Sequence, residues 1–188
     1  MTSLRPEGGD WVEDPTLRQH YRFQRSGGAL RVEMRVDPGG GVTPHIHPSM
    51  EERFEVLSGR PEFLAGRRWR SAEPGDTVVV PVGVRHAFRN RGDEVAHIVC
   101  HATPPQSLQA FLEDAAGLGR ARALTARGIP RSLDAALQGA VMAHHHRAMV
   151  VLLFPPMPPP PLQRLILPVL ARLGARRGHR AGRFKELA

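Results

Sequence analysis

The chain has 188 residues, a single cysteine (Cys100) and a formal net charge of +8. That length suits one hydrophobic core, or one core with a helical appendage, and argues against a second full domain. One cysteine excludes an intramolecular disulfide, and the charge is almost wholly arginine because Lys185 is the only lysine.

The opening stretch MTSLRPEGGDWVEDP is polar and has no apolar run of a secretory signal, and the most apolar segment, AMVVLLF, is too short to cross a bilayer. A cytoplasmic protein with no membrane span is therefore expected. Residues 1 to about 20 read as an irregular arm, with an edge strand starting at Tyr21 to Phe23. Leu30, Val32, Met34 and Val36 then alternate with Arg31, Glu33, Arg35 and Asp37, a half-buried strand that ends at Pro38 and the glycines after it. Short segments follow at HIH, ErFEVL, Glu62 to Ala65, Trp69, TVVVP, HAFRN and AHIVCHA, each bounded by Gly or Pro. This rhythm predicts an antiparallel sandwich or barrel.

After Pro105 the composition shifts to Ala, Leu and Arg with helical periodicity. Leu108, Phe111, Leu112 and Ala115 form one stripe. Ser132 caps a second helix expected to run to about Leu153. A Pro-rich connector is expected at 155–161, then a last helix, LQRLILPVLARLG, that Pro168 would kink unless its packing partner absorbs the missing hydrogen bond. The division is thus a β-region with its arm, 1–105, and a helical extension, 106–188. The basic end, Arg172 to Lys185, reads as a solvated terminus rather than a nucleic-acid surface. Phe184 is its only aromatic residue and no helix-turn-helix pattern is present.

Two blocks carry the chemistry. In the first, five residues separate Gly39 from His45, one separates His45 from His47, four lead to Glu52 and six more to Gly59. In the second, five residues separate Gly75 from Pro81, one lies before Gly83, two before His86 and three before Asn90. Residues two apart on a strand share a face, so His45 and His47 can aim two imidazoles at one point. Glu52 can return a carboxylate there after a short turn at Pro48 to Met50, and His86 must arrive from a distant strand. Glu51 is the competitor to Glu52. The gap to Gly59 and the alternation through Phe54 and Val56 favour Glu52. Three imidazoles and one carboxylate suit one divalent transition metal, Fe, Mn, Ni, Co, Cu or Zn, without choosing among them. Adjacent His144, His145 and His146 lie on a helix, where neighbours point about 100° apart and cannot share an ion.

These blocks resemble both signature motifs of the cupin superfamily at every fixed position. The resemblance covers about residues 30–103. It implies a mainly β fold, an antiparallel jelly-roll barrel, here with the C-terminal helical extension, and a metal held by His45, His47, Glu52 and His86. The nearest group by resemblance is quercetinase-like. The expected function is a metal-dependent dioxygenase acting on a small oxygenated or aromatic molecule, with Glu52 both ligating and moving a proton. The alternatives are a non-redox isomerase, cyclase or lyase, and a non-catalytic ligand binder. Met34, Phe54, Val56, Trp69 and Phe88 are expected to line an apolar pocket. On the last barrel strand either His97 and His101 or Cys100 faces inward, and the histidines are carried as pocket candidates. A homodimer with a small-molecule substrate and no nucleic-acid partner completes the expectation.

Overall fold

The structure is a computed structural model that describes residues 10–153 and 157–184. Expectations for residues 1–9 of the arm, for Pro155 and Pro156, and for Lys185 and Glu186 of the basic end lie outside the described residues.

In chain order the elements are β1 (Val12–Asp14), β2 (Gln19–Ser26), β3 (Ala29–Val36), β4 (Gly41–Ile46), β5 (Glu51–Ser58), β6 (Glu62–Ala65) and β7 (Arg68–Ser71). They continue with β8 (Thr77–Val80), β9 (His86–Arg89), β10 (Ala96–Thr103), α1 (Leu108–Arg120), α2 (Leu133–His145), β11 (Val151–Leu152) and α3 (Pro160–Arg176). One sheet has the order β1-β2-β3-β10-β5-β8 and the other β11-β4-β9-β6-β7. Strands from the two ends of the β-region thus lie side by side, β10 between β3 and β5 and β9 between β4 and β6, and every pair is antiparallel. This is a jelly-roll sandwich whose inner faces make the core.

Alternation explains the core directly. Leu30, Val32, Met34 and Val36 sit opposite Ala102, Cys100, Ile98 and Ala96 across the β3–β10 ladder, and all eight are buried. Fully burying a Val, Leu or Ile side chain contributes about 1.5–3 kcal/mol, so the inward face of β3 sets the register firmly. The opposite face is polar: Glu33 accepts from Arg22 at 2.6 Å and Arg31 at 3.1 Å. Two motif glycines answer to geometry. Gly59 has φ +76°, and a Cβ there would sit 2.7 Å from the Ala96 Cα. Gly39 has φ +80° and donates its N–H to the Asn90 carbonyl at 2.8 Å. The Asn90 side chain in turn donates to the carbonyls of Val36 (2.8 Å) and Glu94 (2.7 Å), so the ends of the two motifs are tied together.

Three boundaries depart from the sequence reading. The arm is not irregular throughout, since β1 pairs with β2 and makes it an interior strand. Its signal is faint because β1 has three residues and two inward positions are polar, Asp14 and Gln19. The second helix ends at His145 rather than Leu153. The β-branched run that follows adds β11 to the open edge of β4, with Val151 opposite Ile46 and Leu152 opposite His45. The last helix begins at Pro160, so Pro160 and Pro161 belong to its first turn, where no intrahelical N–H is needed. Helix α3 packs on α2 through Leu167 against Ala140 and Ala143, while Leu165 and Val169 are exposed on its other side. Among the described residues no helix is long and apolar enough to cross a membrane.

Candidate metal centre

His45 lies in β4 opposite His86 at the start of β9, so adjacent strands place two imidazoles with ring centroids 4.1 Å apart. His47 follows one residue beyond the end of β4, 4.8 Å from the His45 ring. Glu52 comes from β5 in the facing sheet. It is buried while Glu51 is exposed, because the inward phase of β5 is Glu52, Phe54 and Val56. One ligand atom from each of His45, His47, Glu52 and His86 lies within 4.8 Å of the others.

Hydrogen bonding prepares these four groups for a cation. The Nδ1–H groups of His45 and His86 donate to the carbonyls of Thr43 and Val84, both at 2.9 Å. The Nδ1–H of His47 donates to the Met149 carbonyl at 2.8 Å. A carbonyl only accepts, so each Nδ1 carries its proton, and a neutral ring then presents the Nε2 lone pair. The Nε2 of His86 lies 2.9 Å from Glu52 Oε2, and that of His47 lies 3.5 Å from Glu52 Oε1. His47 Nε2 is buried with no hydrogen-bond partner. Lone pairs facing a carboxylate repel unless a proton or a cation stands between them, and one shared divalent ion satisfies the whole set. The donor set therefore fits a borderline transition metal.

The electrostatics agree. Burial draws His45 down to about 3, with the neighbouring His86 and His47 adding to the effect, so its ring is neutral at pH 7. Burial alone would raise Glu52, yet the contacts with His47 and His86 hold it well below the usual carboxylate range. For His47 burial pulls the other way, and the Glu52 carboxylate outweighs it and raises the ring. Cys100 beside Glu52 is pushed well up, by burial first and by the carboxylate second, and stays a neutral thiol.

His45, His47 and Glu52 border a cavity of about 400 Å³, while His86 lies behind them. Of the expected pocket residues, Met34, Phe54 and Phe88 line it. Val56 is buried in the core without bordering the cavity. Trp69 lies outside, with the Arg89 guanidinium 3.8 Å over its ring. His97 and His101 face away: His97 Nε2 lies 2.9 Å from Glu33 Oε1 and His101 Nε2 lies 3.8 Å from Glu55. The apolar phase of β10, Ala96, Ile98, Cys100 and Ala102, claims the inward face, so Cys100 borders the cavity instead. The sequence reading missed Met149, which orients His47 from 102 positions away. It also missed Leu108, Phe111 and Leu112 of α1 as cavity wall, although their stripe was plain in the sequence.

Residues 32–102 match the cupin domain family. The cupin match covers β3 to β10 with all four clustered residues, and leaves β1, β2 and the helical extension outside it. "Polyketide synthase CurC" of Streptomyces cyaneus is 36% identical over 67 residues, 36% of this chain and 44% of that protein. "Protein SchB" of Streptomyces halstedii is 36% identical over 69 residues, 37% of this chain and 50% of that protein. The chain thus spans about half the length of the curated relatives it matches. Among solved structures, KdgF from Halomonas sp. aligns with TM-score 0.48 and 21% identity over 54% of this chain and 91% of that one. A cupin-2 domain protein from Rhodospirillum rubrum aligns with TM-score 0.47 and 22% identity over 62% and 95%.

Proposed function

We propose that the chain is a metal-dependent enzyme that binds a small, largely apolar, oxygenated organic molecule and oxidises it with O2. His45, His47, Glu52 and His86 are its metal ligands in this reading. The observation that carries it is the convergence of three Nδ1-anchored imidazoles on a buried carboxylate beside a mostly apolar cavity. A divalent metal held there supplies Lewis acidity toward substrate oxygens and, where it is Fe or Mn, access to O2 chemistry. The chain's own residues do the rest. Met34, Phe54 and Phe88 exclude water and hold the carbon skeleton, and Glu52, ionised at neutral pH, takes up a proton from an enol or phenol at the mouth of the donor set.

A second reading keeps the metal and removes the redox step, giving a cyclase, isomerase or lyase that polarises a carbonyl. The relative named as a polyketide synthase favours it, because poly-oxygenated carbon chains are substrates for such steps. Metal analysis of protein purified without supplementation, combined with O2-electrode traces on catechols and aromatic diketones, separates the two. Fe or Mn with substrate-dependent O2 uptake that is abolished in His86→Ala supports the oxygenase. Zn or Ni with substrate turnover and no O2 consumption overturns it in favour of the second reading. The homodimer is also proposed, supported by the exposed Leu165 and Val169 of α3, and light scattering tests it.

A further inference from the structure

The cavity wall carries a second polar cluster that the metal reading does not use. Asp14, Gln19 and Tyr21 border the same cavity as His45, His47 and Glu52, and each is at most 1% exposed. Asp14 of β1 sits directly opposite Gln19 of β2, and Tyr21 follows two residues later on the same face. Four of their polar atoms are not engaged with the protein. Asp14 Oδ2, both amide atoms of Gln19 and the Tyr21 hydroxyl are buried without a hydrogen-bond partner. Asp14 is nevertheless held in place, since its Oδ1 accepts from the N–H groups of Thr16 at 2.9 Å and Leu17 at 3.0 Å. The carboxylate is anchored through one oxygen and offers the other.

Buried polar groups are nearly always paired, and three unpaired side chains sharing one cavity wall mark a place where a partner arrives. The set is chemically mixed. Tyr21 donates or accepts, Gln19 does both, and Asp14 Oδ2 accepts, so the complementary group is a hydroxyl, which also does both. Much of the remaining cavity wall is apolar and includes Val32, Met34, Phe54 and Phe88. A cavity of about 400 Å³ is in the range that takes a two- or three-ring molecule.

We infer that Asp14, Gln19 and Tyr21 form a specificity subsite for a hydroxyl at one end of an elongated, apolar-centred substrate whose other, oxygenated end meets the metal ligands. The inference rests on the proposed function for the second end. It places substrate selection in β1 and β2, outside the segment that matches the cupin domain. A site built to hydrogen-bond a hydroxyl discriminates strongly against the analogue lacking it, because the site's own groups are then left buried and unpaired.

The test is calorimetric titration of the metal-loaded, full-length protein with two rigid stilbenes, resveratrol and pinosylvin. The first has hydroxyls at both ends and the second lacks the lone phenol at one end. Wild type is expected to bind resveratrol roughly tenfold tighter. Tyr21→Phe, which keeps the ring, and Gln19→Leu as an independent variant are expected to cut that preference to about twofold or less. Equal binding of both stilbenes by wild type, or failure to bind either, overturns the inference. So does an undiminished preference in both variants, the result expected if only water fills the corner. His86→Ala separates the two ideas. If it binds both stilbenes as wild type does while Tyr21→Phe loses the preference, the metal end fails and the subsite stands. If it abolishes binding while Tyr21→Phe changes nothing, the subsite fails and the metal end stands.

Discussion

Gln163→Leu perturbs the proposed metal centre from a residue that touches none of the four ligands. Gln163 lies buried on α3, and its amide donates to the carbonyls of Leu152 at 2.7 Å and Pro158 at 2.8 Å. Leu152 is in β11, opposite His45, and Met149, whose carbonyl accepts from His47, lies just before that strand. Leucine preserves the approximate volume and removes both donors. Both carbonyls are only part-buried, so losing each donor costs toward the low end of about 1–3 kcal/mol, and a net loss of about 2 kcal/mol is expected. At about 2–4 °C per kcal/mol for a chain of this size, Tm should fall by about 4–8 °C. Loosening β11 also frees the His47 ring to rotate, and loss of an orienting hydrogen bond to a metal-bound imidazole typically lowers affinity about 10–100-fold. Differential scanning calorimetry on the metal-free protein and competition against a chelator measure the two effects separately. A variant that loses stability but holds metal within twofold of wild type would refute the coupling between extension and site.

Other expectations follow from the same geometry. Saturating metal at a hundredfold excess over Kd should add about 2.7 kcal/mol, or about 5–11 °C in Tm, and His86→Ala should abolish the shift, which a chelator titration of both proteins checks. Glu52→Gln should keep the fold and lose stoichiometric metal, read by plasma emission spectrometry on protein of matched circular dichroism. Burial would raise Glu33, but Arg22, Arg31 and His97 hold it down to about 2 from 4.5. Because its folded value is depressed, the stability it contributes is complete above pH 4.5 and is lost as pH falls toward 2. Glu33→Gln should therefore flatten the urea-unfolding midpoint over that window, and an unchanged acid limb would count against this network. Light scattering should return about twice 20.7 kDa if the dimer forms, and a monomer mass would remove that proposal.

The motif residues were legible because each answers to a local rule. A two-residue strand period puts His45 and His47 on one side, positive φ is needed at Gly39, Gly59 and Gly75, and the phase of Phe54 and Val56 picks Glu52 over Glu51. Where two phases of one strand were both plausible, local pattern could not choose. On β10 it left His97 and His101 in competition with Cys100, and only the apolar neighbours on β3 and β5 settled the matter by claiming the Cys100 face. Trp69 shows the same failure in reverse, since an aromatic residue on an edge strand found its partner outside, in Arg89. Polar residues at inward positions hid β1 and the start of β2. Asp14 and Gln19 fell within the arm read as irregular, and the fold buries both.

By itself the sequence determined an antiparallel sandwich or barrel, the four convergent residues and the helical character of the C-terminal third, because strand period, turn chemistry and helix capping act over a few residues. The jelly-roll class came from the resemblance of its two motifs. The tertiary structure decided what those pieces do to one another. It turned the end of the second helix into a strand on β4, brought the Met149 carbonyl to His47 and closed the cavity with α1. It also placed Asp14, Gln19 and Tyr21 in the wall of that cavity. Each of these depends on backbone edges and apolar faces finding partners about a hundred residues away, and such pairings leave no periodic trace in the chain.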